Sequence, residues 1–70
     1  MEPKMFDVVA LLEDLPKDHL VRGQVGTIVE SLAPNVFEVD FSDDQGQSYA
    51  SLGLRSDQFL VLRTNQVAAA

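Results

Sequence analysis

The chain contains no cysteine, no tryptophan and a single histidine, His19. Without thiols there is no disulfide framework, and one imidazole cannot make a thiolate or multi-histidine zinc centre. Cations are scarce as well. Lys and Arg together number 5 against 11 Asp and Glu, a formal net charge of -6. A surface of that sign repels a phosphate backbone and steers a basic protein partner towards it. No apolar run approaches the roughly 20 residues needed to cross a bilayer as a helix. Met1-Glu2-Pro3-Lys4 also lacks the charged-then-apolar layout of a signal peptide. These absences argue against nucleic-acid and membrane partners and for a cytoplasmic address.

What is present is a composition of ordinary globular type, 46% hydrophobic and 23% charged over 70 residues. That is too apolar for a disordered chain and too short for two cores. A single domain of this size is marginal by itself, and such scaffolds commonly lean on disulfides, a metal or an assembly. With the first two missing, a homo-oligomer is the expectation that remains. Residues 5–63 read as the domain and 1–4 and 64–70 as flexible termini. Met5 opens the first apolar run and could itself be a start, and Ala68-Ala69-Ala70 could be a remnant of cloning.

Along the chain the apolar pattern predicts five short strands. Met5 to Leu12 holds Val8, Val9, Ala10, Leu11 and Leu12 in succession, the mark of a strand covered on both faces. Glu13 to Arg22 reads as a long, partly packed loop anchored by Leu15, Leu20 and Val21. Gly23 and Gly26 bracket the entry to a second strand that runs through Thr27-Ile28-Val29 to about Leu32, and Ala33-Pro34-Asn35 forms a turn. In the third strand, Val36 to Phe41, Phe37, Val39 and Phe41 face one way while Glu38 and Asp40 face the other. Ser42 to Gly46 reverses the chain, with Gly46 suited to a left-handed position. Gln47 to Leu54 returns with Ala50, Leu52 and Leu54 inward and Tyr49, Ser51 and Gly53 outward. After the single turn Arg55 to Gln58, Phe59-Leu60-Val61-Leu62 makes a short, fully apolar last strand.

A long loop after the first strand, hairpins joining the next three and a helical-type turn before the fifth together resemble the strand plan of an SH3-like barrel. Val21-Arg22-Gly23-Gln24-Val25-Gly26-Thr27-Ile28-Val29 is similar to the KOW motif of that fold class. From Met5 to Arg63 the chain resembles a family of small bacterial proteins catalogued only as a domain of unknown function. Met5 to Pro16, Arg22 to Glu30, Phe37 to Phe41 and Asp57 to Leu62 carry the resemblance. It implies an all-β, five-stranded SH3-like barrel, no known catalytic residue, and genes that sit beside those of toxin-like or uncharacterised partners. Fold analogy alone does not fix a function.

The search for chemistry is mostly negative. His19 beside Asp18 is the arrangement of a base with its orienter, but in a polar loop it reads as an exposed histidine. Asp40, Asp43 and Asp44 invite a calcium ion, yet the spacing of an EF-hand is missing, and Asp, Gln and Gly are what a hairpin turn needs. Glu13-Asp14 reads as a solvated loop edge, and no serine sits in a nucleophile motif. The sequence therefore assigns no catalytic residue, no metal ligand and no cofactor.

One feature exceeds what a small barrel needs, namely apolar residues on both faces of the first and last strands. These strands pair in SH3-like folds, so Phe6, Val8, Ala10, Leu12, Phe59 and Val61 are expected to form an outward patch at a protein interface. The competing expectation is that the long loop folds back and covers that side with Leu15, Leu20 and Val21. The function this supports is a non-enzymatic protein-interaction module that self-associates or binds a basic, co-encoded partner. Its most concrete version is an antitoxin- or immunity-like role. The alternatives are a KOW-type module on RNA or the ribosome, and an accessory subunit of an enzyme complex.

Overall fold

The alternation of the middle strands carries directly into the fold. The computed structural model describes residues 2–62. Val8–Leu11 forms β1, Val25–Ala33 β2, Val36–Ser42 β3, Ser48–Arg55 β4 and Phe59–Val61 β5. The five expected strands are present, with their ends shifted by a few residues. Neighbours are antiparallel, in the order β4-β3-β2-β1-β5. The only helical pieces among the described residues are two 3-10 turns, Pro16–Asp18 in the long loop and Ser56–Gln58 before β5. The fold is thus all-β, a five-stranded antiparallel open sheet. The expected flexibility of Met1 and of 64–70 lies outside the described residues.

One face of the sheet makes the core. Phe37, Val39 and Phe41 of β3 are buried together with Val9 and Leu11 of β1, Ile28 of β2, Leu54 of β4 and Phe59 of β5. The rings of Phe37 and Phe59 meet edge to face, 6.1 Å between centroids at 75°. In the sheet order β2 and β1 lie between those two strands. At about 4.8 Å per strand, a flat sheet would hold β3 and β5 about 14 Å apart. The sheet is therefore strongly curled, and the curl brings its two ends onto one apolar cluster.

Gly26 permits part of that curl. A Cβ on it would lie 2.8 Å from Val39 Cγ1, 2.9 Å from the backbone oxygen of Asp40 and 2.9 Å from the Phe41 ring. Only glycine lets β2 pass β3 that closely. Gly23 serves differently, with φ at +92° where the loop turns into β2. Register shifts in β2 between Ile28 and Glu30 and between Ser31 and Ala33 mark bulges, which bend the strand further.

The long loop is packed through two leucines. Leu15 and Leu20 form an isolated antiparallel bridge, and Leu20 enters the core at 1% exposure. Leu15 packs against the same cluster, whereas Val21 stays exposed. The loop therefore extends the core, and the β1 run is covered on one face where the sequence suggested two. Val9 and Leu11 are buried, Val8 and Ala10 are half-buried, and Leu12 is exposed.

Candidate functional site

Parity along β1 fixes which side chains face outward. Val9 and Leu11 point into the core, so Val8, Ala10 and Leu12 point away. Ala10 pairs with Leu60 on one side and with Val25 on the other, and Val8 pairs with Thr27. Residues opposite one another in a ladder share a face. The outer surface of β5, β1 and β2 therefore carries Leu60, Ala10, Val25 and Val8. Leu60 is 54% exposed and Val25 is also open to solvent.

This corrects two residues of the expected patch. Phe59 pairs with Leu11 and Val61 with Val9, so both share the inward side. Phe59 is buried and Val61 packs against the core. The outward residue of β5 is Leu60, which the sequence pattern leaves out, as it does Val25. In an unbroken apolar run no alternation shows which parity faces in, and only the register with β1 decides it. Val8, Ala10, Leu12 and Phe6 remain outward or exposed.

Phe6 has a further peculiarity. Its φ is +70°, in the left-handed region, and its side chain is 72% exposed. The Asp7 amide donates to the Lys4 carbonyl at 3.1 Å, closing a turn with Met5 and Phe6 at its corners. The Lys4 amide donates to Asp7 Oδ2 at 2.9 Å, and the Phe6 amide to the Ile28 carbonyl at 2.8 Å. A turn with positive φ at its third residue normally takes glycine or asparagine. A phenylalanine there costs about 1–2 kcal/mol of backbone strain, and burial of the ring gives nothing back. Met5 beside it is exposed as well.

The outer face farther along the sheet is acidic. Glu30 stands directly opposite Glu38, a like-charge pair that opposes strand pairing, and Asp40 follows on the same face of β3. Hydroxyls serve these carboxylates: Ser51 Oγ donates to Glu38 Oε2 at 2.6 Å, and Ser48 Oγ donates to Asp40 Oδ1. The one ion pair among the described residues is Arg55 with Asp57, 3.1 Å apart and open to solvent on both sides.

The remaining candidates have structural employment. His19 is exposed at φ +58° and ends the first 3-10 turn, its amide donating to the Pro16 carbonyl at 3.2 Å. Asp43 Oδ1 accepts from the Gln45 and Gln47 amides at 2.9 Å, and Gly46 adopts φ +78°, so this acid organises the β3–β4 hairpin. Asp14 Oδ1 accepts from the Arg22 amide at 2.8 Å and so ties the two ends of the long loop together. Among the described residues no trio of His, Asp or Glu side chains is grouped to hold a metal ion.

A family model described as "Domain of unknown function (DUF4926)" matches residues 5–61. The chain belongs to this family. No curated protein and no solved structure matches it. The matched span takes in the whole outer face, from Met5 and Phe6 through Val25 to Leu60. No helix among the described residues is long and apolar enough to cross a membrane.

Proposed function

We propose that this domain is a non-enzymatic interaction module that docks a basic, co-encoded protein partner in the cytoplasm, in the manner of an antitoxin or immunity protein. The docking surface is the outer side of β1, β2 and β5, with Phe6 as its anchor. The observation that carries this reading is Phe6 itself, an exposed aromatic held at an unfavourable φ. Strain that persists at a surface residue with nothing to pack against points to a function elsewhere. Aromatic anchors are also the residues that dominate interface energetics. Leu60, Val25 and Leu12 supply the apolar surround, and Glu30, Glu38 and Asp40 supply the field that draws in a basic partner.

The scaffold we propose for this surface is an SH3-like barrel. The strand order, the bulged β2 and the Phe37–Phe59 contact favour it over a flat sheet. The docking test is calorimetry of the purified chain against the product of the adjacent gene. Wild type should bind and Phe6→Gly should bind at least tenfold more weakly, a change of about 1.4 kcal/mol. Undiminished binding by Phe6→Gly, or no binding by wild type, overturns the reading.

A further inference from the structure

The two free edges of the sheet differ. β5 spans only Phe59–Val61, and Glu2 and Pro3 lie close enough to share a cavity of about 400 Å³ with it. A short strand beside a proline is a blunted edge. β4 spans Ser48–Arg55, and among the described residues its only strand neighbour is β3. It contains no proline and no lysine, and its one charge, Arg55, sits at its end. Of the usual devices that keep sheet edges apart it has one, a bulge at Tyr49 near its start, and from Ala50 to Arg55 its register against β3 is regular.

The hydrogen-bond phase of this edge can be read off. The Ser56 amide donates to the Asn35 carbonyl at 2.9 Å, so the pair Asn35 and Ser56 is a bonded one. Bonded and non-bonded pairs alternate along an antiparallel ladder. Leu54 and Leu52 thus turn their backbone groups towards β3, while Gly53 and Ser51 turn theirs to the open edge. The Arg55 amide also faces outward but is taken by Gln58 Oε1 at 2.8 Å. Gly53 adds no side chain to this border, and Leu52 and Ala50 are half-buried residues at the rim of the core.

From this we infer that the chain self-associates through β4, two copies pairing edge to edge and antiparallel about a two-fold axis at Leu52. The pattern is self-complementary. With Leu52 opposite Leu52 of the second copy, Ser51 and Gly53 exchange both hydrogen bonds with Gly53 and Ser51 across the axis. On the inner side the two Leu52 side chains meet and Ala50 falls opposite Leu54, so the half-exposed rim of each core is covered. On the outer side Arg55 of one copy arrives beside the Tyr49 bulge of the other, one step beyond Ser51. There it lies two strand spacings, about 10 Å, from the strand that carries Asp40, within reach of an arginine side chain. The sole cation of the edge, which within its own copy pairs only with the exposed Asp57, thereby comes within reach of the other copy's acidic face, where among the described residues Glu38 and Asp40 have only hydroxyl partners. A domain of this size without disulfides gains most from such an assembly. Phe6 is bonded to β2 and β4 pairs with β3, so the paired edge contains no residue of the Phe6 surface, and neither proposal depends on the other.

The test is mass in solution by sedimentation velocity or light scattering over a concentration series of the full chain. Wild type should shift from monomer to dimer as concentration rises, and added salt should weaken the dimer. Ser51→Pro removes an amide that faces the edge and leaves the ladder to β3 intact, so it should remain folded by circular dichroism and monomeric throughout. Phe6→Gly should dimerise like wild type. In a chain without cysteine, Leu52→Cys should give a covalent dimer on mild oxidation, because a directly opposed non-bonded pair places its Cα atoms at about 4.5 Å, within disulfide range. A wild type that stays monomeric overturns the inference. So does a dimer that survives Ser51→Pro, one dissolved by Phe6→Gly, or a Leu52→Cys variant that does not cross-link.

Discussion

Gly26 and Phe6 make opposite use of the same freedom. At Gly26 the fold leaves no space for a Cβ, and the residue is glycine. At Phe6 the backbone adopts a φ that suits glycine, and the residue is a large aromatic pointing into solvent. Both sit along β2, since the Phe6 amide bonds to the Ile28 carbonyl, two residues beyond Gly26. At the first position residue and backbone agree, and the agreement serves packing. At the second they conflict with no local compensation, and the proposed docking role rests on that conflict.

The largest expected effect lies on the Gly26 side. Phe41 is fully buried and is one of the residues that a Cβ at position 26 would strike. Its replacement by Ala should cost about 3–5 kcal/mol. That is most of the stability of so small a domain, and urea denaturation measures it. Gly26→Ala should cost about 1–3 kcal/mol by overpacking against backbone as well as side chains. A Gly26→Ala variant with wild-type midpoint would mean that the strands can part there, and the contrast would dissolve.

The Phe6 side should move the other way. Phe6→Gly should raise stability by roughly 0.5–1 kcal/mol, the relief of strain less the entropy of a glycine in the unfolded chain, while weakening partner binding. Phe6→Ala should weaken binding equally without the gain, because alanine keeps the unfavourable φ. Loss of stability in Phe6→Gly would show the ring to be structural. The smallest effect is expected at Asn35, which also has a positive φ, +63°. Asparagine tolerates that region, so Asn35→Gly should change stability by only a few tenths of a kcal/mol. A gain there as large as at Phe6 would remove what distinguishes the two turns.

Much of this fold is legible in the residues themselves. The strict alternation of Phe37, Val39 and Phe41 with Glu38 and Asp40 leaves one assignment of faces, and burial follows it. Gly23, Gly26 and Gly46 stand where the pattern asks for positive φ or close approach, and each provides one or the other. The outer patch is legible only in part. β1 and β5 are all-apolar runs, so parity within them is unreadable, and the pattern points Phe59 and Val61 outward while passing over Leu60 and Val25. The turn at Met5 and Phe6 is also invisible, because the residue types there extend the apolar run and none of them signals a turn.

Composition and spacing alone determined that this chain builds one all-β domain without disulfides, since those depend on counts and on periods of two that any strand must obey. Tertiary structure alone decided which side of β1 and β5 meets solvent, that Phe6 is held out under strain, and that among the described residues β4 ends the sheet with the Ser51 and Gly53 backbone groups turned to its edge. Each of these depends on register between segments distant in sequence, and a run of equally apolar residues carries no information about register.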